Sequence, residues 1–305
     1  MSEIIKEKFK SSAFTAPLLI IFVLVSMQLS KFALPNLESE TNIFVAIGVV
    51  QLIAIGLPCI VYYLLKGRKL NEPIYVISNR GPQILFVLFA ALTFISGTLL
   101  IKFFYFVGGG TDAAIVNFYG NIASGNIDGT NHLQIILSLI VIPAVCEELL
   151  FRGILFSEYR AFGTANAVII SALCFAMLHF SIENFFMYLF AGLLFGFATA
   201  ITRSIFPSIA LHLLSNTMSI YASDAFLRIT VVKNGAYFVG FVLAVFTAIS
   251  LILLLSRVET ICHSYAEKPP MEEMPPKSRS NWTKVFFSPS FFLLIIAFLI
   301  TVLFI

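Results

Sequence analysis

Apolar residues in this chain come in long unbroken runs, not in the alternation that marks half-buried strands. Nine runs stand out: Phe14–Phe32, Ile43–Leu65, Ile84–Val107, Leu133–Phe156, Ala165–Phe180, Phe185–Ile201, Phe206–Tyr221, Ala236–Ser256 and Val285–Ile305. Most approach the roughly 20 residues a helix needs to cross a bilayer. Lipid offers the backbone no hydrogen-bond partner, so continuous apolar runs of this kind are helices. The pattern predicts an all-α, polytopic transmembrane helical bundle with eight or nine membrane helices.

The first run follows Lys6, Lys8 and Lys10, a basic start that a signal peptide also shows. Its apolar stretch is long, however, and no small-residue cleavage site follows, so it reads as a membrane helix. Composition agrees: 59% of the 305 residues are hydrophobic and 11% charged, with a mean hydropathy of +0.96, outside the range of soluble domains. Basic residues gather at the amino terminus, in Lys66–Arg80, at Arg160 and Arg203, and in Arg257–Lys284. The alternate connections hold only Lys31, Arg228 and Lys233. The positive-inside rule therefore puts the amino terminus in the cytoplasm. The net charge of +3 follows topology and forms no basic stripe, so no nucleic-acid partner is expected. Cys59, Cys146, Cys174 and Cys262 have no CxxC spacing and read as small apolar residues, not as a disulfide framework.

Three parts follow from where the polar residues lie. Residues 1–130 are three spans of scaffold, ending in the glycine-rich, extracytoplasmic stretch Gly108–His132. Residues 131–225 form a four-helix block holding nearly all the polar side chains embedded in apolar sequence, and 226–305 add further membrane helices. These last are separated by a proline-containing cytoplasmic linker, Lys268–Lys284, with Trp282 as an interface anchor.

The chemistry belongs to the four-helix block. In Cys146-Glu147-Glu148-Leu149-Leu150-Phe151-Arg152, two carboxylates and a guanidinium interrupt an apolar helix. A charge at such a place costs roughly 2.5–3.5 kcal/mol on insertion scales, so it needs a partner or a water-filled cavity. Glu148 and Arg152, four residues apart, share a helix face and can pair, which leaves Glu147 without a local partner. Phe175 and His179 lie near the end of the fifth run, and His212 and Asn216 share a face of the seventh. A lone histidine in an apolar helix is more often a hydrogen-bonded core residue than a catalyst. Two of them with an asparagine and two glutamates in one block point to a site. If the fourth and fifth helices turn near Gly163, Glu147 and His179 are each sixteen residues from the turn and reach one depth. His212 is only eight residues past a turn near Ser204, so its helix must start deeper or its turn must be re-entrant.

These motifs resemble the CAAX prenyl protease and bacteriocin-processing or self-immunity family of intramembrane glutamic endopeptidases. The family's pattern is Glu-Glu-x-x-x-Arg, Phe-x-x-x-His, then His-x-x-x-Asn, here Glu147, Glu148 and Arg152, Phe175 and His179, His212 and Asn216. The resemblance covers about Leu133–Tyr221. It implies catalytic roles for Glu147 and His179, which hold and activate a water, and for His212 and Asn216, which stabilise the oxyanion. Glu148, Arg152 and Phe175 support them. It also implies a multi-pass protein of a prokaryotic plasma membrane that cleaves prenylated CAAX-type or other membrane-associated peptides. A carboxylate can take the water's proton and pass it to the leaving amine, and each oxyanion donor lowers the barrier by about 3 kcal/mol.

No cofactor is expected, but zinc stays open, since two histidines and a carboxylate could supply three ligands, although HExxH is missing. Two other functions compete. A proton-coupled carrier also embeds Glu and His, but predicts broken helices and paired halves. A non-catalytic immunity or binding protein would keep the fold and tolerate loss of Glu147.

Overall fold

A computed structural model describes residues 3–33, 40–66, 81–108, 132–221, 236–267 and 288–303. Nine helices occupy them: α1 (Glu3–Ala33), α2 (residues 40–66), α3 (Gly81–Val107), α4 (His132–Tyr159), α5 (Thr164–Leu178), α6 (Phe185–Thr202), α7 (Phe206–Tyr221), α8 (Ala236–Glu267) and α9 (Pro289–Leu303). This is an all-α integral membrane bundle. Five of the helices, α2, α3, α4, α6 and α8, are long and apolar enough to cross a bilayer by length and composition; apolar stretches of α1, α5 and α9 are shorter. The described α7 falls in neither group, because Ser208, His212, Ser215, Asn216, Thr217 and Ser219 dilute its apolar residues.

The helix boundaries match the hydrophobic runs closely, except where a helix outlasts its apolar stretch. The α8 helix continues beyond Ser256 through charged sequence to Glu267, and α1 begins at Glu3 instead of Phe14. Expected features at 109–131 and 268–284, Trp282, and the divisions near 130 and 225 lie outside the described residues.

Packing follows chain neighbours only in part. The α8 helix runs along α3, α9 along α1, and α6 along α5, while α7 lies against α6, α4 and α3. The α5–α6 contact depends on Gly192 and Gly196, a GxxxG pair. A Cβ on Gly192 would stand 2.9 Å from Cα of Ala172, and one on Gly196 would stand 3.3 Å from a methyl of Val168. Within lipid, such small residues let helix backbones approach and gain dispersion contacts.

The α4 helix is irregular around its glutamates. It widens into π turns at Ile136–Val141 and Leu149–Phe156, with Pro143, which has no N–H to give the ladder, between them. It ends in a 3₁₀ turn, Arg160–Phe162, and at Gly163, whose φ of 117° suits only glycine. The α4–α5 hairpin does turn here. Phe151 and Phe175, equidistant from Gly163 in sequence, meet edge to face at 5.4 Å between ring centroids.

The α6–α7 connection resolves the depth of His212. Arg203 adopts a left-handed conformation (φ 55°), and the turn is buried: Thr202, Ser204 and Ile205 are each 2% exposed. Its polar groups are satisfied locally. The Thr202 hydroxyl donates to the Ala198 carbonyl (2.7 Å), and Ser208 donates to the Ile205 carbonyl (2.7 Å). Non-helical backbone inside a bundle is tolerated when protein encloses it. The α7 helix thus starts within the bundle, and six residues bring His212 level with α4's glutamates.

Candidate active site

The site is built on α4. Glu148 and Arg152, four residues apart and fully buried, form the expected pair: Nη1 of Arg152 donates to Oε1 of Glu148 at 2.6 Å. The guanidinium's other arm crosses to α6, where Nη2 donates to the Gly192 carbonyl at 2.8 Å. Phe151, Phe175 and Phe195 surround it, with ring centroids 5.8, 5.1 and 5.5 Å from Cζ. A planar cation that can fork its hydrogen bonds and lie against aromatic faces is what this enclosure requires, and lysine would not fill it.

His212 comes in from α7. Its Nδ1 donates to Oε1 of Glu148 at 2.9 Å, so one carboxylate oxygen receives both the guanidinium and the imidazole. Phe195 stacks along the ring at 5.3 Å, and Phe175 meets it edge-on at 5.3 Å. The imidazole is thereby held with Nε2 facing Oε2 of Glu147, 3.9 Å away. That separation is too long for a direct hydrogen bond and short enough for a single oxygen to touch both atoms. Oε2 of Glu147 is buried and accepts no hydrogen bond. The two adjacent glutamates therefore do different work. Glu148 fixes the imidazole through Nδ1, and Glu147 faces its other nitrogen.

His179 caps α5. The helix ends at Leu178, and the His179 N–H turns to the Ala176 carbonyl, which leaves the Phe175 carbonyl without its usual partner one turn on. Nδ1 of His179 donates to that carbonyl at 2.9 Å. The ring stacks on Tyr188 at 3.8 Å and meets Phe175 at 4.7 Å, so the Phe175 ring touches both site histidines. No hydrogen bond or ion pair joins His179 directly to Glu147. Asn216, one turn beyond His212, gives one amide hydrogen to the carbonyl of Ile140, in the first π turn of α4, at 3.3 Å.

The structure thus brings Glu147, Glu148, Arg152, Phe175 and His212 into one buried cluster, with His179 on the far edge of Phe175 and Asn216 against α4's backbone. Sequence reading missed Gly192, Tyr188 and Phe195. The Gly-x-x-x-Gly at 192–196 marked close helix packing and could have drawn attention to Gly192; nothing in an all-apolar α6 distinguishes Phe195. Among the described residues, no three His, Cys, Asp or Glu side chains converge as a metal-holding group. Nδ1 of His179 and of His212 is each held by an oxygen acceptor, and Nε2 of His212 faces Glu147. Cys59, Cys146 and Cys174 are free and buried, and Cys262 is exposed.

Fold and site together define an integral membrane helical bundle enclosing a carboxylate–imidazole–guanidinium centre. Residues 129–218 match the family described as type II CAAX prenyl endopeptidase Rce1-like. The chain is also similar to YdiL of Bacillus subtilis (strain 168), named as a candidate membrane peptidase. The two are 36% identical over 86 residues, which is 28% of this chain and 35% of that relative's length. The chain therefore spans about a third of the curated relative it matches. The stretch matched by the family description contains Glu147, Glu148, Arg152, Phe175, His179, His212 and Asn216. No solved structure matches it.

Proposed function

We propose that the protein is an intramembrane endopeptidase in which Glu147 activates a water. The observation that carries this reading is the 3.9 Å approach of His212 Nε2 to a buried Glu147 oxygen that accepts no hydrogen bond, with that imidazole locked by Glu148 and Arg152.

In the proposed reaction the Glu147 carboxylate takes a proton from water as its oxygen attacks the scissile carbonyl. His179, its Nδ1 hydrogen committed to Phe175, offers Nε2 as an acceptor that steadies the same water. The tetrahedral intermediate places a negative oxygen where Nε2 of His212 and the second amide hydrogen of Asn216 can donate to it. The protonated Glu147 then passes its proton to the leaving amine as the C–N bond breaks. Glu148 holds the imidazole through Nδ1, and Arg152 balances the charge of Glu148. No step runs through a metal. Substrates are membrane-associated peptides or proteins.

The test is cleavage of a panel of membrane-associated peptides, with and without a farnesylated carboxy terminus, by purified wild-type and Glu147→Gln protein. Removing a general base should lower kcat by about 10²–10⁴-fold, with little change in KM and normal membrane insertion. Wild-type cleavage should persist in a zinc chelator. Undiminished cleavage by Glu147→Gln would sink the mechanism; loss in chelator would move the chemistry to a metal.

A further inference from the structure

The bundle has two chemically different ends. Contacts between alternate helices fix which residues share an end. Tyr105 at the end of α3 donates to Glu183 in the α5–α6 loop (3.4 Å). Gly240 near the start of α8 abuts Phe103, and Phe185 at the start of α6 meets Phe298 near the end of α9. The opposite end holds the Gly163 turn, the buried α6–α7 turn, and Arg257 of α8 over Phe89 near the start of α3.

From Glu147 toward that opposite end the way is closed: Phe151, Leu155, Phe156, Tyr159 and Phe162 are all 4% exposed or less. Toward the α5–α6 end the side chains turn polar and accessible. His179 and Asn216 are partly exposed, and Thr217, Ser219 and Glu183 are exposed. Basic residues divide unevenly between alternate connections. In sequence, the stretches following α2, α4 and α6, and the one from Arg257 to Lys284, carry Lys66, Arg68, Lys69, Arg80, Arg160, Arg203 and five further basic residues; those around the ends of α1, α3 and α7 carry Lys31, Lys102, Arg228 and Lys233. Short connections rich in Lys and Arg stay in the cytoplasm.

Building on the peptidase reading, we infer that Glu147 is reached from the end bearing the α5–α6 loop, that this end is extracytoplasmic, and that the substrate is a polypeptide segment presented at the outer face of the membrane. A tail displayed at the cytoplasmic face meets the closed end.

The full chain carries its own internal reference, since Cys262 is exposed near the closed end of α8 while the other three cysteines are buried. In intact cells a membrane-impermeant maleimide should leave Cys262 unlabelled until the membrane is permeabilised. In a Cys262→Ala background, Ile182→Cys (58% exposed) should label without permeabilisation, with Leu133→Cys (58% exposed) as an alternative at the same end. Right-side-out vesicles given an external peptide from the panel should cleave it, and Glu147→Gln vesicles should not. Labelling of Cys262 in intact cells with protection of Ile182→Cys would overturn the inference, as would cleavage confined to inside-out vesicles. If detergent-solubilised wild type cleaves nothing, the peptidase reading fails, while the labelling pattern still decides which face the polar end occupies.

Discussion

Replacing Arg152 by leucine removes the cation from a fully enclosed pair, and its cost can be assembled from the contacts described. Glu148 would remain as a buried carboxylate left to His212 and Ser208 without its cation, and removing one member of a buried pair destabilises by about 3–5 kcal/mol. The Gly192 carbonyl would also lose the guanidinium and keep only its helical partner, adding about 1 kcal/mol. Leucine keeps part of the packing against the three phenylalanine rings, so the sum should be at least about 4 kcal/mol, a large share of the roughly 5–15 kcal/mol that holds folded proteins together. The diagnostic is the double variant. Adding Glu148→Gln removes the stranded charge, so Glu148→Gln/Arg152→Leu should be more stable than Arg152→Leu alone, by about 2 kcal/mol or more. Reversible unfolding in mixed micelles, followed by circular dichroism, measures both. A double variant as unstable as the single, or less stable, would refute the account of Glu148 as an anion dependent on Arg152. The double variant should stay inactive in peptide cleavage, because it lacks both the carboxylate that receives His212 Nδ1 and the guanidinium that holds that carboxylate.

Two further predictions concern single groups. Gly192→Ala should cost about 1–3 kcal/mol through overpacking against the Ala172 backbone; it should also lengthen the Arg152 link, and unfolding in the same micelles measures the loss. Asn216→Ala should lower kcat by about 10²–10³-fold while leaving KM nearly unchanged, as loss of an oxyanion donor does; an equal rise in KM with constant kcat would instead assign Asn216 to substrate binding.

Much of the architecture was legible because lipid restricts the choices. Apolar runs had to be helices, and Gly163 marked the α4–α5 turn through its backbone freedom. The Glu148–Arg152 pair followed from spacing alone, since i and i+4 positions face each other on any helix. What could not be read were contacts set by rotation of one helix against another. Gly192 acts through a carbonyl that every residue has, and Phe195 and Tyr188 are aromatics among many in apolar sequence. His179 shows a second limit. Equal spacing from Gly163 places it at Glu147's depth, but the end of α5 decides where its ring goes, by leaving the Phe175 carbonyl for Nδ1. The buried α6–α7 turn was anticipated as a necessity of depth, yet its form rests on Arg203's left-handed backbone, which no local composition announces.

That turn also bears on how the protein is made. A helix as polar and short as α7 has little tendency to leave the translocation channel for lipid by itself. Its polar side chains find partners on α4, where His212 meets Glu148 and Asn216 meets the Ile140 carbonyl. A chain arrested before α7 would be an inserted membrane protein with its guanidinium–carboxylate pair made and no imidazole beside it. Among the described helices, the imidazole of the cluster thus arrives on the one that is least suited to lipid by composition.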